Sequence, residues 1–269
     1  FRIVDIGPDV EPHSDDTVVD AAGKIVAPGL VDTHVHLREP GREDEETIVT
    51  GAKAAAAGGF TTIACMPNTT PPLDSGATVT AVLQLAEEAC IRIVPTGCVT
   101  KGRAGQELAE IGELVEAGVW GITDDGNPIE SSEIMRRALE YSRPFGIPVI
   151  SHAEDPTLVG KGVMHEGFVS TVLGLPGIPA EAESVMVARD LLLAKATGSW
   201  LHIAHVSTKE SVELIATARA KGVKVTCEVT PHHLVLTDEA VHTYDTNTKV
   251  NPPLRSEEHV KALQTALAN

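Results

Sequence analysis

The chain has 269 residues, 42% hydrophobic and only 3% aromatic, enough for one large domain or two small ones built on an aliphatic core. Its 21 basic residues face 38 acidic ones, and the net charge of −17 argues against nucleic acid or an anionic membrane surface as partner. No apolar run approaches the roughly 20 residues that span a bilayer. Nothing at the start reads as a signal peptide, and four cysteines without C-x-x-C spacing predict a reduced, cytoplasmic setting.

Residues 1–27 read as the remnant of a small β element, with Thr17-Val18-Val19-Asp20-Ala21-Ala22-Gly23-Lys24 a short strand and turn. From residue 28 onward an apolar strand, a polar loop and an amphipathic helix alternate. The predicted strands are 29–37, 60–66, 91–98, 119–123, 148–152, 200–206 and 223–229. The predicted helices are 45–57, 78–89, 106–116, 131–141, 180–196, 209–221 and 256–267, several closed by glycine (Gly58, Gly118, Gly146, Gly198, Gly222). Seven strand–helix units in order predict a parallel sheet with helices outside. A doubly wound sheet would gather its site at one crossover, whereas here polar candidates follow nearly every strand. The expected fold is therefore an α/β, TIM-type (β/α)8 barrel over 28–269, incomplete because an eighth strand would lie beyond Asn269.

The candidate chemistry starts at Asp32-Thr33-His34-Val35-His36-Leu37-Arg38-Glu39-Pro40-Gly41. Side chains two apart on a strand point the same way, so His34 and His36 form half of a metal site on a rigid edge. The competing reading is two hydrogen-bonded polar residues at a strand end. Asn68 sits at the next strand end, where it also suits a turn. Asp124 and Asp125 are adjacent carboxylates that repel unless a cation lies near, so one is expected to bind metal and the other backbone N–H groups, with a plain Asp-Asp-Gly turn as the competing reading. His152 and His205 end two later strands. His202, on the opposite face from His205, is expected to be packed and hydrogen-bonded, and His232 and His233 to cap a loop. Asn251, in a Pro-flanked loop, suits a substrate amide or carboxylate. His13, His165, His242 and His259 follow no strand and are expected at the surface. Four histidines and one carboxylate exceed the needs of one tetrahedral zinc and fit two metals about 3.5–4 Å apart. Two divalent ions with one Asp and one hydroxide keep a net positive charge, suited to a small acid.

These blocks resemble the cyclic amidohydrolases, and within them the bacterial class I dihydroorotases. The likeness runs on through Gly51-Ala52-Lys53-Ala54-Ala55-Ala56-Ala57-Gly58-Gly59, Met66-Pro67-Asn68-Thr69, Thr123-Asp124-Asp125-Gly126 and Ser151-His152-Ala153-Glu154-Asp155. It ends in His205-Val206-Ser207-Thr208-Lys209-Glu210-Ser211 and Asn251-Pro252-Pro253-Leu254-Arg255. The resemblance implies metal ligands at His34, His36, Asp125, His152 and His205, zinc as the metal, and substrate contacts from His36, Arg38, Asn68 and Asn251. It implies the reversible cyclisation of N-carbamoyl-L-aspartate to dihydroorotate, a homodimer, and aspartate carbamoyltransferase as a partner. The family's catalytic Asp belongs to the eighth strand, so no catalytic residue is expected within this chain. Hydantoinases and allantoinases, the nearest alternative, bridge their metals with a carboxylated Lys where this chain has Asp124-Asp125. A non-catalytic subunit supporting aspartate carbamoyltransferase is the other alternative, but such proteins usually lose the histidines that are kept here.

Overall fold

Short apolar strands capped by helices set the architecture of the computed structural model, which describes residues 3–268. Three strands, β1 (Leu30–Val35), β2 (Phe60–Cys65) and β3 (Arg92–Pro95), pair in parallel in chain order. A second parallel sheet joins β4 (Val149–Ser151), β7 (Leu201–Ile203) and β8 (Val225–Cys227) in that order. Ile122 links the two sheets through single parallel bridges to Gly97 and Val149. Parallel neighbours therefore succeed one another from β1 to β8, although no closed barrel forms among the described residues. A separate pair, β5 (Met164–His165) and β6 (Gly177–Ile178), lies in the connection after β4.

Each parallel step needs a crossover, and helices supply it. Helix α1 (Ile48–Ala57) starts at Thr47, whose side chain accepts from the Thr50 N–H. Gly51 of α1 lies so close to Leu37 that a Cβ would sit 2.4 Å from its Cδ2, so a larger residue there would push the Leu37 side chain aside. Next come α2 (Gly76–Leu85), α3 (Ile111–Ala117) and α4 (Ser132–Ser142), which turns Met135, Ala138 and Leu139 inward. Two short helices, α5 (Pro156–Val159) and α6 (Phe168–Leu173), flank β5. The longest, α7 (Glu181–Thr197), packs on α4 and on α8 (Lys209–Ala220). Helices α9 (Pro231–Val235) and α10 (Glu257–Leu267) end the described chain. The core is aliphatic as expected, with Ile48, Ile63, Ile111, Leu114, Ile122, Leu139, Leu201 and Ile203 fully buried.

Two expectations need correction. Residues 119–123 do not make a strand beyond Ile122. Pro148 opposite has no N–H to offer, and Arg103 takes the carbonyls of Asp124 and Asp125, so the ladder stops after one residue. No strand forms within 17–24 either, although a turn does, closed by the Lys24 N–H on the Ala21 carbonyl. A single extended segment without a partner has nowhere to place its backbone groups.

Candidate metal centre

The ends of β1, β4 and β7 and the turn after Ile122 converge on one spot. The register of β1 against β2 shifts between Asp32 and Val35, a bulge that re-aims the strand end. His34 and His36 still present their Nε2 atoms to one carboxylate oxygen, Asp125 Oδ2, at 3.4 and 3.6 Å. Its other oxygen, Oδ1, lies 3.6 Å from His152 Nδ1 and 3.5 Å from His205 Nε2. Asp125 thus belongs to two clusters of prospective metal ligands, His34–His36–Asp125 and Asp125–His152–His205. Asp124 faces away and accepts from Val99 N (2.9 Å), Thr100 N (3.1 Å) and the Thr100 hydroxyl.

The donors fit a divalent cation. Ligand atoms around a tetrahedral ion with bonds of about 2.0–2.1 Å lie about 3.3–3.4 Å apart, close to the spacings seen here. Asp125 Oδ1 is buried without a hydrogen-bond partner, an orphan that an ion would satisfy. His152 Nδ1 and His205 Nε2 approach to 2.9 Å, so one lone pair there needs a proton or a cation.

Electrostatics divide each histidine pair. Burial alone would lower the His34 pKa, but hydrogen bonds to Asp125 and Glu228 outweigh it and raise the value to about 10. His152 is likewise buried, yet Asp125 and Glu154 lift it to about 9. Burial dominates at His36 and His205, which are lowered. Burial would raise the Asp125 carboxyl, yet His152, His205 and His34 hold it well below the ordinary range. Without an ion, then, each half carries one charged and one neutral imidazole around a fixed carboxylate.

Each outer nitrogen of His34, His36 and His152 has a partner. His34 Nδ1 meets Glu228 Oε1 at 2.5 Å, His36 Nδ1 meets Asn68 Oδ1 at 2.9 Å, and His152 Nε2 meets Glu154 Oε2 at 3.4 Å. Asn68, expected as a substrate contact, therefore uses its oxygen on His36 and keeps its Nδ2 hydrogens for a ligand. Asn251 Nδ2 donates to Glu154 Oε2 at 3.3 Å, which brings that loop to the His152 side. Arg38 stands beside His36 but pairs with Glu45, Nε to Oε2 at 3.3 Å. Arg38 (φ 62°) and His205 (φ 34°) both sit in the left-handed region, backbone strain of the kind held at functional sites.

Glu154 and Glu228 were not singled out from the sequence. Glu228 follows an exposed strand with no motif around it. Glu154 stands two residues after His152, the same spacing that singled out His36, and could have been found that way. His202 is packed as expected, with Nδ1 on Thr226 Oγ1 at 2.8 Å and Nε2 on Glu228 Oε2 at 3.2 Å. His233 caps its loop through Thr230 Oγ1 and the Pro252 carbonyl, while His232 stacks on it. The expectation that His165 and His259 are surface residues fails. They are buried edge to face at 5.3 Å, with Arg255 on His165 and the Lys209 N–H on His259. His165 belongs to β5, a strand unforeseen from the sequence, and His259 to α10.

Residues 23–211 match the family described as Dihydro-orotase-like. A protein named dihydroorotase from Geobacter sp. (strain M21) is 54% identical over 268 residues, covering 99% of this chain and 63% of its own length. The dihydroorotase of Pelotomaculum thermopropionicum is 58% identical over 252 residues, covering 94% of this chain and 59% of its own. This chain thus spans about three-fifths of the curated relatives it matches. Among solved structures, L-hydantoinase from Arthrobacter aurescens superposes with a TM-score of 0.78 at 26% identity, over 93% of this chain and 58% of that one. Dihydropyrimidinase from Brevibacillus agri gives 0.74 at 26% identity, over 95% and 58%. With 189 consecutive residues from 23 to 211 inside the family match, this chain belongs to the dihydroorotase-like family of cyclic amidohydrolases.

Proposed function

We propose that the whole protein is a zinc-dependent dihydroorotase of the cytoplasm. It would catalyse the reversible cyclisation of N-carbamoyl-L-aspartate to (S)-dihydroorotate and water in de novo pyrimidine biosynthesis. The observation that carries this reading is the Asp125 carboxylate, one oxygen facing the His34–His36 pair and the other facing His152 and His205. One carboxylate between two histidine pairs suits two divalent ions about 3.5–4 Å apart. The ligands are assigned as His34, His36, Asp125, His152 and His205. Bound there, zinc supplies positive charge that acidifies water and polarises an amide carbonyl.

The chain's own residues do the rest. Arg38 exchanges Glu45 for the substrate carboxylate, which a guanidinium grips as a planar fork. Asn68 Nδ2, beside His36, and Asn251, beside Glu154, orient the substrate, and His36 is a further contact to it. Glu154 and Glu228 are already committed to imidazole nitrogens. The resemblance to dihydroorotases assigns the proton donor to the leaving nitrogen to an Asp of an eighth strand outside this chain, and no catalytic residue is assigned within it.

The same reading makes residues 28–269 most of a (β/α)8 barrel and residues 1–27 part of a small β element. Support comes from the strand edges. Thr33 and His34 on β1 hydrogen-bond Glu228, the residue after β8. A groove of about 1060 Å³ opens beside β8, between α8 and α10, lined by Val212, Ile215, Cys227 and Leu263. On this reading a further strand would follow at the β8 edge with its helix in that groove.

The test is turnover by the full-length protein. Dihydroorotate should be hydrolysed, activity should vanish on chelation and return with zinc, and R38K should raise KM for carbamoyl aspartate. Preference for uncharged hydantoins, or no bound zinc, would overturn the assignment. A 269-residue piece should be slower by about 10²–10⁴-fold or more, the usual loss with an acid–base group. The homodimer and an association with aspartate carbamoyltransferase belong to the same reading and are checked by size-exclusion chromatography with and without that enzyme.

A further inference from the structure

Resting on the zinc reading above, we propose that Glu228 is a positioning residue that presents the His34 Nε2 lone pair to the metal. A directional chain of hydrogen bonds from Trp200 holds it in that role. The direction is fixed by elementary chemistry. The Trp200 indole can only donate, and its Nε1–H reaches Thr226 Oγ1 at 3.0 Å. Glu228, a carboxylate, can only accept, so His202 carries its proton on Nε2 and donates it to Glu228 Oε2 at 3.2 Å. The Nδ1 of that neutral ring is therefore an acceptor, and the single Thr226 hydroxyl proton points to it at 2.8 Å. Thr33 Oγ1 donates to the same oxygen at 3.0 Å. Glu228 Oε1 takes His34 Nδ1 at 2.5 Å and lies 3.4 Å from the His205 backbone N–H.

Two carboxylate oxygens offer about four acceptor sites, and four donors fill them. Every partner pushes a proton toward Glu228, so His34 must carry its proton on Nδ1. In the neutral ring that a metal requires, Nε2 is then the lone pair, 3.4 Å from Asp125 Oδ2, and the second proton held without an ion sits on that same nitrogen. A carboxylate behind a ligating imidazole fixes tautomer and ring orientation and strengthens the ligand. Glu228 does this from the strand end that faces β1, and its contact with His205 N–H also braces a backbone held at φ 34°.

The experiment uses the full-length protein and zinc alone. In E228Q one acceptor oxygen becomes an NH2 that cannot receive a donor, so His34 or the Thr33–His202 pair loses its partner. Zinc binding by chelator competition should show one of two ions weakened about 10–100-fold, the usual cost of losing such a partner, and the other unchanged. A folded E228Q with wild-type affinity for both ions overturns the proposal while leaving the zinc reading intact. Wild-type protein that binds no zinc sinks that reading instead. Should E228Q not fold, ¹⁵N–¹H correlation spectra of the histidine rings in wild-type, zinc-loaded protein decide the matter. They should show His34 protonated at Nδ1 and His202 at Nε2, and the reverse tautomer at either residue overturns the proposal.

Discussion

Loading the metal-free site should expel protons, and the structure says how many. His34 is raised to about 10 and His152 to about 9, while His36 and His205 are lowered and Asp125 stays ionised. A ligand imidazole must be neutral, so each ion displaces one proton. At pH 8.5 the two raised histidines together hold about 1.7 protons. Four ordinary histidines with pKa of about 6.5 would hold about 0.04 at the same pH. Ionisation of bound water adds at most one proton under either account. Calorimetric titration of zinc into the metal-free full-length protein, in two buffers of different ionisation enthalpy, counts the release. The expected count is between about 1.7 and 2.7 protons. Release of one proton or fewer would refute the claim that Asp125, Glu228 and Glu154 hold two imidazoliums in place of the ions. The sign for stability follows from the same groups. Their folded pKa values exceed the ordinary one, so their contribution is full below about pH 6.5 and lost as pH rises through 9–10.

Other outcomes follow from packing and backbone. Ile122→Ala removes the fully buried side chain at the only bridge described between the two sheets, and urea unfolding should show a loss of about 2–5 kcal/mol. Gly41→Ala puts a Cβ 2.5 Å from the Thr70 carbonyl at φ 108°, so thermal melts should show a cost of about 1–3 kcal/mol or more, with weakened carboxylate binding as Arg38 shifts. Burial lowers His165 and His233 to about 4, helped by Arg255 and His232 respectively. Unfolding takes up protons at both between about pH 6.5 and 4, so urea midpoints should fall across that window and H165Q should flatten the fall.

The repeating rhythm of the fold was legible because period and punctuation are local. Ser131 and Thr208 each accept a hydrogen bond from an N–H in the first turn of their predicted helices, whereas the helix expected from residue 45 starts at Ile48 with Thr47 as its cap. The strands at 60–66, 148–152, 200–206 and 223–229 form, shortened at their ends. The pairing at Ile122 was not legible, because it turns on what Pro148 and Arg103 do to the backbone groups, and both act across the sheet. Nor was the β5–β6 insertion, since two-residue strands carry no periodicity.

Legibility of the site divides along the same line. A histidine can be proposed as a ligand from its place at a strand end, since the fold collects strand ends at one mouth. The residue behind it cannot, because its effect depends on a contact that sequence separation hides. His34 and His36 are two apart, whereas His34 and Glu228 are 194 apart and meet only because the first and last described strands of the parallel run face each other. Asn68 shows the intermediate case. It stood out at its strand end, but the structure gives its oxygen to His36 and leaves only its amide hydrogens for a ligand. A residue can therefore be found for the right neighbourhood while its task is divided. The order of dependence runs from sheet to carboxylate to imidazole to ion, so a substitution that spreads β1 from β8 should disturb the His34–His36 half first. The His152–His205 half, carried on strands already paired to each other, should keep its ion longer as the protein is loosened with urea. Simultaneous loss of both ions would mean that Asp125, shared by the two halves, governs the site more strongly than the strands beneath it.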